Sequence, residues 1–170
     1  IFALQPDFWG PSLEPVLARY GSTIEYWQLG GDTDTSFSNA KQLPEMIKQI
    51  TMQFDRIGRN SKIGVQWPWP ATYPIPTEIQ NLFVTIGNEN GLSLEELEEI
   101  FSDKKSDTAE HWTMLRPLPL THTLKNRAST LIRQMVMARL KGSNGIFISG
   151  VLDGDRGLLN KDGAPTPLFL

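Results

Sequence analysis

Ile24-Glu25-Tyr26-Trp27-Gln28-Leu29, closed by Gly30-Gly31-Asp32, crowds β-branched and aromatic residues into a short run and then stops at paired glycines. Such a run reads as a strand whose chain is released, where backbone freedom is greatest, into a polar loop reaching Asn39. Beyond the loop, Leu43, Met46, Ile47, Ile50, Phe54 and Ile57 recur at three- and four-residue steps. Pro44 falls where a first turn tolerates it, so Pro44–Arg56 is expected as an amphipathic helix. Lys62-Ile63-Gly64-Val65-Gln66 follows as a second strand. Strand, helix, strand is the unit of a parallel sheet, because only a long crossover brings the chain back to the same end.

The alternation continues in both directions. Upstream, Ile1-Phe2-Ala3-Leu4 reads as a strand. Ser12-Leu13-Glu14-Pro15 then opens a helix with Leu13, Val16, Leu17 and Tyr20 on one face and Gly21 as its stop. Downstream, Leu82-Phe83-Val84-Thr85-Ile86 is a strand, and Ser93-Leu94-Glu95-Glu96 is a capping box ahead of a helix with Leu94, Leu97, Ile100 and Phe101 inward. Trp112-Thr113-Met114-Leu115 is the next strand, ending near Arg116-Pro117. Leu124 to Leu140 is the longest helix; its apolar stripe of Leu124, Ala128, Leu131, Ile132, Met135, Val136 and Leu140 is expected to face inward, with Gly142 as the stop. Ile146-Phe147-Ile148 closes the series. The proline density of Trp67-Pro68-Trp69-Pro70-Ala71-Thr72-Tyr73-Pro74-Ile75-Pro76 forbids helix and predicts a long aromatic loop, and Ser102–Asp107 reads as an exposed one. The expected fold is therefore α/β, with about six parallel strands alternating with helices, either open or part of a closed barrel.

Composition narrows the function classes. At 170 residues and 39% hydrophobic, the chain suits a single domain over 1–170. Sixteen Lys and Arg against 19 Asp and Glu give a net charge of -3 and no basic field for nucleic acid. The absence of cysteine excludes disulfides, thiolate metal sites and Cys nucleophiles but leaves the compartment unknown. No apolar run reaches the ~20 residues of a membrane span, so a soluble protein and no membrane partner are expected. The apolar opening and the apolar close at Pro165–Leu170 suggest a fragment of a larger protein, and an open sheet edge would suit a homodimer that completes the barrel.

In parallel sheets ligands gather at the carboxyl ends of the strands. Asp32 and Asp34 follow Gly30-Gly31 there as candidate carboxylates; equally, either forms an Asx-turn or caps the next helix. Glu89, in Gly87-Asn88-Glu89-Asn90-Gly91, could share acid/base work with Asp32 or simply sit in a turn. Asp153, Asp155 and Arg156 follow the last strand and could form an ion pair that only shapes the loop. Trp67, Trp69 and Tyr73 offer flat faces for a sugar ring, or else pack beneath another part of the chain. His111 and His122 lack metal-ligand spacing, and dinucleotide, nucleotide and esterase motifs are absent, so neither metal nor cofactor is expected.

Taken together, Tyr26-Trp27-Gln28-Leu29-Gly30-Gly31-Asp32, Gly145-Ile146-Phe147-Ile148, Arg156-Gly157-Leu158-Leu159-Asn160 and Asp162-Gly163-Ala164-Pro165-Thr166 resemble the later strands of a clan A glycoside hydrolase. The resemblance implies part of a (β/α)8 TIM-type barrel, with the strands here being its third to eighth. It implies a carbohydrate partner, with Asp32 and Glu89 as catalytic candidates and Trp27, Gln28, Asp34, Trp67, Trp69, Arg116 and Asp153 lining the sugar. The chain departs from the pattern in two places. The fourth barrel strand ends in Gly31-Asp32 rather than Asn-Glu, and the seventh, Trp112–Pro117, lacks the nucleophilic glutamate. Hydrolysis needs two carboxylates, about 5 Å apart to retain configuration and about 6.5 to 9.5 Å apart to invert it. Glu89, Asp153 or Asp155 would have to partner Asp32; the alternative is a barrel without catalysis that binds sugar or serves as a structural and interaction domain.

Overall fold

The computed structural model describes residues 6–38, 40–57, 60–70, 75, 79–102 and 109–169. The expected strand at Ile1–Leu4 lies outside the described residues, as does Tyr73. In chain order the elements are α1 (Pro6–Tyr20), β1 (Tyr26–Leu29), α2 (Leu43–Asp55), β2 (Lys62–Pro68), β3 (Leu82–Gly87), α3 (Leu94–Ser102), β4 (Glu110–Leu115), α4 (Leu124–Leu140) and β5 (Gly145–Ile148). The five parallel strands run in one sheet, ordered β1-β2-β3-β4-β5, the partial TIM-type arrangement expected of right-handed crossovers. By contacts the chain resolves into two compact units. The first holds the described residues up to Val84 with Ala109 and Glu110, and the second holds the rest.

In the first unit, β1 and β2 pair in register from Tyr26 opposite Lys62 to Leu29 opposite Val65. Side chains alternate between faces. Trp27 stands edge-on to Phe54 of α2 with ring centroids 5.5 Å apart, which identifies the face covered by helix. Tyr26, Gln28, Gly64 and Gln66 occupy the other face, where Tyr26 meets Phe83 edge-on at 5.6 Å. Gly64 lies under the Phe83 ring, so closely that a Cβ there would overlap it. α2 buries Leu43, Ile47, Ile50 and Phe54, one stripe at helical spacing, with Pro44 in its first turn. α1 begins earlier than its polar Ser12 suggests. Pro11 and Pro15 lie inside it, and Trp9 and Leu17 are the buried anchors, whereas Val16 and Tyr20 are 41% exposed.

In the second unit, β4 pairs with β5 from Trp112 opposite Gly145 to Leu115 opposite Ile148. Large residues again cover glycines: Trp112 lies over Gly145 and Met114 over Gly87. The capping box forms as its sequence predicts, Ser93 N–H donating to Glu96 at 2.7 Å and Glu96 N–H to Ser93 Oγ at 3.1 Å. α4 also begins and ends where expected. Thr123 caps its start, and Gly142, at φ 93°, lets Ser143 N–H return to the Ala138 carbonyl.

The orientation of α4 differs from the apolar stripe. It buries Arg127, Leu131, Gln134 and Ala138, while Ile132, Val136 and Leu140 stand 59%, 51% and 78% exposed. The reason is hydrogen bonding. Arg127 donates to the carbonyls of Leu118 at 2.8 Å and Arg156 at 3.3 Å, and Gln134 donates to Leu92 at 2.5 Å. Without Gln134 the buried Leu92 carbonyl would lack that partner, at a cost of about 1–3 kcal/mol, and Arg127 serves two half-buried carbonyls.

Candidate functional site

The first unit presents two kinds of strand end. At its amino ends, Lys62 Nζ bonds to Glu110 at 2.5 Å and to the Tyr26 hydroxyl at 2.9 Å, with Glu25 at 3.5 Å. The Glu110 carboxylate and then the Tyr26 hydroxyl hold this lysine well above the ordinary lysine range. At the carboxyl end of β1, Gly30 takes φ 79° and turns the chain so closely past Asp34 that no side chain fits there. Asp34 Oδ1 accepts Ser36 N–H at 3.0 Å, and Ser36 holds the carboxyl below its usual value. This is the Asx-turn alternative foreseen for the pair of aspartates. Asp32 is half-buried and makes no hydrogen bond or ion pair among the described residues.

Of the described residues in the aromatic segment, Trp67 is packed rather than displayed. Trp67 continues β2 and is 3% exposed, on the same face as Ile63 and Val65. Trp27 lies against α2 and donates to the Ile24 carbonyl at 3.0 Å. Trp69, half-buried just beyond β2, is the tryptophan of this segment with part of its surface open. Sequence reasoning passed over Gln66, which is 2% exposed on the Gln28 face with an Oε1 that lacks a hydrogen-bond partner among the described residues. Its signal was a lone amide in an otherwise apolar strand, and a buried unpartnered oxygen calls for an explanation.

In the second unit, Asn88 Oδ1 accepts Asn90 N–H at 3.1 Å and folds Asn88-Glu89-Asn90 into a turn, leaving the Glu89 side chain exposed. The Glu89 carbonyl accepts Arg116 Nη1 at 2.7 Å. Arg116 stands on the Trp112 and Met114 face, immediately after β4, and its Nη2 lies 3.8 Å from Asp153 Oδ2. Asp153 Oδ1 accepts Asp155 N–H at 3.0 Å. Asp153 therefore pairs with Arg116, not with Arg156, whose carbonyl serves Arg127 instead. The structure thus joins Arg116, Asp153 and the Glu89 backbone in one cluster, while Asp32, Asp34 and Gln28 belong to the first unit.

A groove of about 330 Å³ lies beside α1 and α2, lined by Trp9, Leu17, Gln53 and Arg56 among others, and contains no strand-end residue. Another of about 380 Å³ in the second unit is lined by His122, Arg127, Asp155 and Asn160 with their neighbours. Among the described residues no three His, Asp or Glu side chains cluster as metal ligands, and no helix is long and apolar enough to cross a membrane.

Neither the protein-family models nor the curated proteins contain a match to this chain. Among solved structures, the chain is similar to endo-glycoceramidase II from Rhodococcus sp., determined as its lactosyl-enzyme intermediate. The two share 15% identity and a TM-score of 0.56 over 95% of this chain and 43% of that one, so this chain spans less than half the length of the glycosidase. A likeness this distant concerns the fold alone: this chain has the architecture of part of a TIM-type barrel.

Proposed function

We propose that this chain is a carbohydrate-binding domain of glycoside hydrolase descent that does not cleave glycosidic bonds. The observation that supports the reading is Arg116. At the strand end where the resemblance calls for a nucleophilic carboxylate, the chain carries a guanidinium anchored to the Glu89 carbonyl and facing Asp153. A cation cannot attack an anomeric carbon, and it disfavours the positive charge that grows on the sugar during cleavage. What remains suited to a sugar in the second unit is a set of polar side chains, Arg116 and Asp153 above all.

A second reading, hydrolysis with Asp32 as general acid or base, draws support from that carboxylate's having no partner among the described residues, which leaves its oxygens available to a substrate. The Rhodococcus glycosidase carries a lactosyl group in its enzyme intermediate, so lactose and a chromogenic lactoside are suitable probes. The proposal expects lactose or a related neutral oligosaccharide to bind in calorimetric titrations, no release of chromophore, and binding unchanged in Asp32→Asn. Turnover that Asp32→Asn abolishes would instead establish the glycosidase.

A further inference from the structure

The Arg116–Asp153 pair says more about the ligand than that it is a sugar. Arg116 is held by Nη1 on the Glu89 carbonyl, and Asp153 by Oδ1 on the Asp155 amide. The two groups are thus fixed by their far ends and turn Nη2 and Oδ2 toward each other. Their side chains remain 27% and 31% exposed, so both are reachable from solvent. The separation of 3.8 Å exceeds a hydrogen bond. One oxygen bonded to both partners at about 2.8 Å bridges that separation at an angle of roughly 85°.

Three ligand chemistries meet such a pair differently. A carboxylate or sulfate gains from Arg116 but is repelled by Asp153, and an ammonium group meets the reverse. A hydroxyl both donates and accepts, so it satisfies Oδ2 and Nη2 together without charge conflict. We infer that the Arg116–Asp153 pair forms a donor–acceptor clamp for a hydroxyl of a neutral sugar and selects against uronate-bearing and sulfated glycans. The inference rests on the sugar-binding reading above and adds the substrate class.

The test applies the 170-residue chain to a printed array holding matched neutral, uronate-bearing and sulfated oligosaccharides, followed by calorimetry on the strongest neutral glycan and its uronate counterpart. Binding is expected on neutral glycans, weakened about 10- to 100-fold in Arg116→Gln, as befits the loss of hydrogen bonds from a charged group. Asp153→Asn carries the decisive prediction. Removing the repelling carboxylate should raise affinity for the uronate glycan by up to about 5-fold, the scale of a partly exposed charge pair, while neutral binding falls. A misfolded variant cannot gain affinity, so this result separates recognition from a structural role. Wild-type preference for uronate or sulfated glycans would overturn the clamp and leave sugar binding intact. Absence of binding to every glycan would overturn both.

Discussion

Lys62 and Arg116 make an instructive pair, each a cation at a strand end beside carboxylates, yet disposed in opposite ways. Lys62 sits at the amino ends and is saturated, with Glu110, Tyr26 and Glu25 all within 3.5 Å. Arg116 sits at a carboxyl end and is anchored by a backbone carbonyl, with its carboxylate neighbour at 3.8 Å and its Nε without a partner among the described residues. The difference follows the division of labour in parallel α/β folds, where one end of the strands supports stability and the other carries chemistry. A saturated cluster has no bonds left for a ligand. A loosely paired one holds donors and acceptors in reserve.

That contrast can be broken by experiment, and the largest effect is expected at the saturated end. Lys62→Ala removes hydrogen bonds to the partly exposed Glu110 carboxylate and Tyr26 hydroxyl and should cost about 1–2 kcal/mol in urea unfolding. A loss below about 0.5 kcal/mol, the level of an ordinary surface change, would place Lys62 among ornamental ion pairs. Alkaline titration probes the same group without mutation. Because Glu110, and then Tyr26, raise the folded-state value above the unfolded one, the stabilisation is complete below about pH 10.4, the ordinary lysine value. It is lost as pH rises through the higher folded value. Thermal unfolding of wild type should therefore fall more steeply with alkaline pH than that of Lys62→Ala.

At the reserve end, Arg116→Gln should change stability by less than about 1 kcal/mol, since Asp153 stands 3.8 Å away, beyond a hydrogen bond, and the Glu89 carbonyl can turn to water. A loss matching that of Lys62→Ala would make Arg116 a structural residue and erase the distinction. The smallest change belongs to Asp34→Ala, which removes the Ser36 turn. Its effect should be a few tenths of a kcal/mol, and in wild type it should appear only as pH falls through the lowered value of Asp34.

How far the sequence foretold these features depends on the range of the interaction. The capping box at Ser93 and Glu96, the stop at Gly142, and the stripe of Leu43, Ile47, Ile50 and Phe54 were legible because each is written within a few turns of chain. The Asx-turn at Asp34 was legible as one of two readings, since aspartate beside glycine serves turns and sites alike. Trp67 was misjudged because proline density signals a loop, whereas the strand continues through Trp67 and packs it on the Ile63 and Val65 face.

Alternation of strand and helix, and with it the parallel α/β class, is a property of local periodicity, which the order of residues alone specifies. The facing of α4 is not, because apolar spacing rewards one side of the helix while Arg127 and Gln134 answer the carbonyls of Leu118, Arg156 and Leu92, which lie outside the helix. Nor is the partner of Asp153. Sequence proximity favoured Arg156, and the folded chain supplied Arg116 instead, because strands adjacent in a sheet bring their ends together regardless of the helix between them.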